Sequence, residues 1–298
     1  MFNVHIPVDG LGTGVHQRGF FRRQERQYLA GDAVLVETPG YYPLFGKLHL
    51  AKANIIGIPR GPDDPDLEAI ERQARVHHPR LMYVQPIAHN PTGTSMSLPA
   101  MHRLLQIAER HNIILIEDDP FADIMPRTTP HLASLDGLDR VIYLGTFSKT
   151  LSASLRCGYV AANKRLITSL TDIKMLTVVT TSGTTERMIH DFIVKGRYRR
   201  HLVRLMDRVA HASNEACICL ESIGIRNLLP PTGGYYIWCP LPEHISDIEL
   251  AKKASKEGIF LAPGSLFSKS DEEQPPALRM NIAHASDSRL LSFLRTNL

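Results

Sequence analysis

The sequence predicts an α/β fold: a mostly parallel sheet in a large domain, covered by helices, followed by a smaller α+β unit. Three observations carry this expectation. Short runs apolar on both faces alternate with longer amphipathic stretches, the pattern of a covered parallel sheet. The alternation holds from Ala33 to about residue 178 and changes character near Gly196. The 298 residues, 43% hydrophobic and 21% charged, suffice for a sizeable core in one large or two modest domains.

Strands are expected at 33–36, 54–58, 81–85, 113–116, 141–144 and 158–162. Runs such as Val34-Leu35-Val36 and Ile114-Leu115-Ile116 suit a pleated, buried surface. Helices are expected between them at 41–51, 66–76, 99–111 and 164–178. Beyond Gly196 a long helix at 198–222 leads to a strand at 235–239 and a helix at 248–257. Strands at 260–262 and 278–282 and a final helix near 287–294 complete the chain. The expected division is a large domain over 31–196 and a small C-terminal domain over 197–298. Residues 1–30 fit neither period and are left unassigned, as an atypical or truncated start.

Composition narrows the classes. With 34 basic and 30 acidic residues, the net charge of +4 permits an anionic ligand but does not demand nucleic acid. Cys157, Cys217, Cys219 and Cys239 form no CxxC pair, so neither a zinc site nor a disulfide framework is expected. No run of 18 apolar residues and no signal pattern occurs, so the expected location is the cytoplasm, with no membrane partner. The fourteen histidines show no HExxH or similar spacing, and no metal is expected. The basic run from Lys195 to His201 reads as a solvated helix start.

Ligands of open α/β sheets gather at the carboxyl ends of strands. Three strand ends are chemically loaded. His89-Asn90-Pro91-Thr92-Gly93 follows the third, where a tight turn places the Asn90 amide at the rim. Glu117-Asp118-Asp119-Pro120-Phe121 follows the fourth, and three carboxylates together call for a cation. Gly145-Thr146-Phe147-Ser148-Lys149-Thr150 follows the fifth, with Ser152, Ser154 and Arg156 beyond it. Hydroxyls and a guanidinium suit a phosphate dianion. A lysine beside them can form a Schiff base. Taken singly, each segment also reads as an ordinary turn, a helix cap or a serine-rich loop. In this order they provide an acid for a pyridinium nitrogen, an amine for an aldehyde and a cup for a phosphate. That set points to pyridoxal 5'-phosphate (PLP).

The same segments resemble the fold-type I, class I/II aminotransferases. So do Leu155-Arg156-Cys157-Gly158-Tyr159, Pro231-Thr232-Gly233-Gly234-Tyr235-Tyr236, Ala262-Pro263-Gly264-Ser265 and Leu278-Arg279-Met280-Asn281, and the likeness runs over about residues 30–298. The resemblance implies the PLP-dependent transferase fold, with the cofactor in the 31–196 domain. It implies Lys149 as the Schiff-base and proton-moving lysine and Asp118 as the partner of the pyridine nitrogen. It assigns Asn90 to the phenolic O3', Tyr41 to stacking on the ring, and Thr146, Ser148 and Arg156 to the phosphate. Arg279 would bind the substrate α-carboxylate in a bidentate fork. The implied activity moves an amino group between an amino acid and a 2-oxo acid, in a homodimer.

Two departures stand out. Phe121 occupies a position where the family usually has a tyrosine, so a hydroxyl toward O3' is missing there. The expected phosphate loop reads Gly10-Leu11-Gly12-Thr13-Gly14, with no helix pattern after it, and the large domain is expected to be incomplete at its N-terminus. A second likeness is to the aminotransferase-like domain of MocR-type regulators of the GntR family, carried by Tyr41 to Leu48 and Thr150 to Arg156. On that reading the chain is a PLP-binding effector domain, a fragment of such a regulator lacking its DNA-binding domain, and it binds no DNA alone.

Overall fold

The computed structural model describes residues 4–7, 31–226, 228–229, 231–269 and 274–298. The glycine-rich stretch from Gly10 to Gly14, which carried the phosphate-loop expectation, lies outside the described residues.

The larger sheet contains β1 (Val4–Pro7), β2 (Ala33–Thr38), β3 (Asn54–Pro59), β4 (Leu81–Val84), β5 (Ile114–Asp119), β6 (Val141–Thr146) and β7 (Cys157–Ala161). Their spatial order is β1-β7-β6-β5-β4-β2-β3. The pairs from β3 through β6 are parallel; β7 is antiparallel to both β6 and β1. Helices α1 (Tyr42–Leu50), α2 (Leu67–His77), α3 (Leu98–His111), α4 (Leu132–Asp136), α5 (Lys164–Thr177) and α6 (Gly183–Val194) connect and cover it.

Strand alternation divides the core. Leu35, Met82, Val84, Leu115 and Val141 point to one face and pack with Ile70 of α2 and Leu104 and Ile107 of α3. Val34, Val36, Tyr83, Ile116 and Leu144 point to the other and pack with Leu44 and Leu48 of α1 and Ile167 and Leu170 of α5. Side-chain caps start the helices where the sequence offers them: Asp66 accepts from Ala69 N, Ser97 from Ala100 N and Asn163 from Leu166 N.

The long α7 (Arg197–Ser222) joins two cores. Its Tyr198 packs with Phe147 and Cys157, while its Ala216 and Leu220 pack against the smaller sheet. That sheet has the antiparallel order β8-β10-β9, from Tyr236–Pro240, Ala277–Asn281 and Ala262–Pro263. Helices α8 (Asp247–Lys256) and α9 (Ser288–Asn297) cover it through Leu250, Phe293 and Leu294.

Several details differ from expectation: β1 lies in the stretch left unassigned, and the short α4 was not expected. Helix α6 was not expected; only its Ile189 is buried, so it lacks the apolar stripe that reveals a helix in sequence. Strand β9 starts at Ala262, after Phe260, which is 90% exposed. Strand β5 runs on through the three carboxylates to Asp119, because its alternation sends them to opposite faces. Among the described residues no helix is long and apolar enough to cross a membrane.

Candidate active site

The carboxyl ends of β4, β5 and β6 lie along one edge of the large sheet, and Asn90, Asp118 and Lys149 stand at or just beyond them. Asp118 is buried near the end of β5. Its Oδ2 accepts a short hydrogen bond from the Tyr83 hydroxyl and another from Gln85 Nε2 at 2.7 Å. Burial pushes the Asp118 carboxyl up to about 6, against the pull of those two donors. Neighbouring Asp119 raises it further, and Lys47 of α1 opposes that.

Gln85 has two jobs. While Nε2 donates to Asp118, Oε1 accepts from Asn90 N at 3.1 Å. A carboxylate accepts only and a backbone N–H donates only, so both amide ends are fixed. Asn90 Oδ1 in turn accepts from Arg279 Nη1 at 3.1 Å. Arg279 comes from β10, so this bond ties the smaller sheet to the Asn90 turn. The Arg279 guanidinium lies between the Tyr236 ring, 4.3 Å from its centroid, and the Phe267 ring, at 4.8 Å. Arg279 Nε is buried with no hydrogen-bond partner among the described residues.

Lys149 lies in the turn after β6. Its Nζ reaches the Tyr236 hydroxyl at 3.4 Å. The Tyr235 hydroxyl donates to the Lys149 carbonyl oxygen, and the His201 ring donates from Nε2 to the Thr150 carbonyl at 2.6 Å. Both bonds grip the main chain beside the lysine. Phe121 is fully buried and meets Tyr235 and Tyr236 edge-on at 5.2 and 6.0 Å, forming an apolar wall.

Thr146 and Ser148 make a second corner at the end of β6, and Arg156 immediately precedes β7, its antiparallel neighbour. The Thr146 hydroxyl donates to Ser148 Oγ at 3.0 Å and accepts from Ser148 N at 3.1 Å. Arg156 adopts a left-handed conformation (φ 54°), and its Nη1 donates to the Ala153 carbonyl at 3.0 Å. Tyr41 precedes α1 as its N-cap and packs at the edge of the core, its ring 6.3 Å from that of Tyr42. The bonded path from Asp118 through Gln85 and Asn90 to Arg279 passes through neither Tyr41 nor this corner.

A buried ion pair supports the Asn90 turn. Arg60 bridges to Glu37, whose Oε2 accepts from Gln85 N at 2.8 Å. His89 stands 3.6 Å from the same oxygen and pairs through Nδ1 with Thr92 Oγ1 at 2.9 Å. Burial, reinforced by Arg60, holds His89 well below its usual pKa, so it stays neutral. On the opposite face of β5, Glu117 accepts from Leu132 N and Ala133 N at 3.1 and 2.8 Å. Asp119 lies 2.9 Å from His131 Nδ1. The cation those carboxylates called for is His131, pushed up to about 10 by Asp119 and Glu117.

Sequence reasoning missed Tyr83, Gln85, Tyr236 and His131. Tyr83 and Gln85 are two apart beside the aspartate strand, and that spacing was the available signal. Tyr236 stands in the stretch 231–236 that carries the family likeness but was given no role, and nothing local marks His131; both meet their partners only through the fold.

A mostly parallel sheet with a lysine, a buried acid and an arginine fork at its carboxyl edge defines a PLP-dependent transferase class. The family model for aminotransferase class I and II matches residues 25–296, and the chain belongs to that family. Family membership implies pyridoxal phosphate as the cofactor. The 2-aminoadipate transaminase of Thermus thermophilus is 29% identical over 80% of this chain and 61% of its own length. An uncharacterized HTH-type transcriptional regulator of Bacillus subtilis is 27% identical over 85% of this chain and 52% of its own. The chain thus spans between half and two thirds of these relatives. The crystal structure of LysN, an α-aminoadipate aminotransferase from Thermus thermophilus complexed with N-(5'-phosphopyridoxyl)-L-leucine, has a TM-score of 0.85 at 25% identity. That likeness covers 97% of this chain and 75% of the other.

Proposed function

We propose that this chain carries out amino-group transfer between an amino acid and a 2-oxo acid, with PLP held at the Lys149 edge of the large sheet. The observation that carries the reading is the hydrogen-bonded chain Asp118–Gln85–Asn90–Arg279, which ends at the ring whose hydroxyl touches Lys149.

The residues fit the cofactor by their chemistry. Asp118 is a buried carboxyl raised by desolvation, and a cationic ring nitrogen would restore its charge. Asn90 would serve the ring oxygen, Tyr41 a ring face, and Thr146, Ser148 and Arg156 the phosphate. Lys149 would hold the aldehyde covalently. Bound there, the cofactor supplies an electron sink for the pair left at the substrate's α-carbon. Lys149 moves the proton at that carbon. Arg279 binds the α-carboxylate, and its clamping rings fix the fork before substrate arrives. Phe121 and its aromatic neighbours keep water from the lysine. A homodimer is the expected assembly.

A second reading is favoured by the regulator relatives: the same site as the effector domain of a transcription regulator, of which this chain spans the PLP-binding part.

The test is the visible spectrum of the purified chain with PLP, beside Lys149→Ala. A band that is lost in the variant and shifts on adding amino acids, L-2-aminoadipate among them, supports the reading. Free-cofactor spectra identical in both proteins overturn it. Sustained production of 2-oxo acid favours the enzyme; spectral shifts without turnover favour the effector domain.

A further inference from the structure

Lys149 Nζ has one hydrogen-bond partner among the described residues, the Tyr236 hydroxyl. Tyr236 arrives from the smaller sheet, and three neighbours fix it. Arg279 covers one face of its ring, and Phe121 meets the ring edge-on. The turn at Gly93 presses on its main chain, where a Cβ would come within 2.3 Å of the Tyr236 carbonyl oxygen. A phenylalanine would fill the same space against Arg279 and Phe121. The hydroxyl is therefore surplus to packing, and it sits at the amine.

We infer that Tyr236 is a further catalytic residue, whose hydroxyl orients Lys149 Nζ and exchanges protons with it. The inference rests on the reading that Lys149 is the reacting amine. An amine must give up a proton before it attacks a carbonyl and must hold one when it acts as an acid. A phenol both donates and accepts, so it can bond the ammonium and the free amine, and it favours the ammonium, where the bond is charge-assisted. Phe121, the adjoining ring, offers no such group. Because Arg279 lies over the same ring, one rigid plate sets the spacing between amine and carboxylate fork.

The test is Tyr236→Phe, which keeps the ring and removes the hydroxyl. In the cofactor-free protein, reductive methylation of Lys149 with formaldehyde and cyanoborohydride is followed by peptide mass spectrometry across about pH 6 to 10. The expected result is a displaced pH profile at Lys149, with exposed Lys252 unchanged as internal reference. With PLP and substrate, turnover should fall about 100-fold while KM moves less than about threefold. Superimposable Lys149 profiles overturn the inference, whatever the turnover. A displaced profile in a chain that takes up no PLP sinks the proposed function and leaves the Tyr236–Lys149 pairing standing.

Discussion

Gln85 donates from Nε2 to Asp118 Oδ2 at 2.7 Å while its Oε1 holds the Asn90 main chain, so one amide sets both the acid and the turn of the site. Gln85→Leu leaves a buried N–H unpaired and takes a donor from the acid. A stability loss of about 1–3 kcal/mol is expected in urea melts, with PLP affinity weakened at least about tenfold. Unchanged affinity would mean that the amide only packs.

Asp118 gives a pH signature. Its folded pKa, about 6, lies above the ordinary 3.8, so the folded state retains this proton longer than the unfolded chain. In the cofactor-free protein its contribution to stability falls as pH rises from about 4 to about 6, by up to about 3 kcal/mol. Asp118→Asn should flatten that part of the profile and weaken PLP binding. Thermal melts across the window, with and without PLP, check both.

His131 stands on the other face of β5, and its window lies at higher pH. Its pKa is raised from 6.5 to about 10, so its stabilisation is complete below about 6.5 and is lost as pH rises through 10. His131→Gln strands Glu117 and Asp119 without their cation. Solvent at the partly exposed ring screens the pair, so a loss on the order of 3 kcal/mol at neutral pH is expected, shrinking toward pH 10. Urea melts of both proteins at two pH values decide it.

Arg60 and Glu37 form a buried pair under the Asn90 turn. Arg60→Met should cost about 3–5 kcal/mol, because it abandons a buried carboxylate. The double variant Arg60→Met/Glu37→Gln should recover part of that loss. Equal stabilities for single and double variants would show that the charge of Glu37 is irrelevant there.

Two glycines should respond with opposite signs. Gly93 has φ +75°, and a Cβ would strike the Tyr236 carbonyl oxygen. Gly93→Ala should therefore cost more than the 1–2 kcal/mol or so of backbone strain and part the Asn90 turn from β8. Gly46, inside α1 with open space around it, should gain about 0.5–1 kcal/mol as alanine. Denaturant midpoints for the two variants make the comparison.

The sequence by itself determined the parallel sheet, through strands apolar on both faces, and the segments around Asn90, Asp118 and Lys149, through residues grouped at strand ends; Arg279 entered only through the family resemblance. These signals are local: a period, a turn, a cluster of like charges. Their joining was decided only in the folded chain. Gln85 meets Asp118 across 33 positions, Tyr236 meets Lys149 across 87 and Arg279 meets Asn90 across 189. Periodicity carries no record of such distances, because sheet order and the docking of β8 and β10 set them. The β5 carboxylates show the same division. Their crowding was plain in the sequence, but only strand pleating turned Asp118 toward Gln85 and left Glu117 and Asp119 to His131.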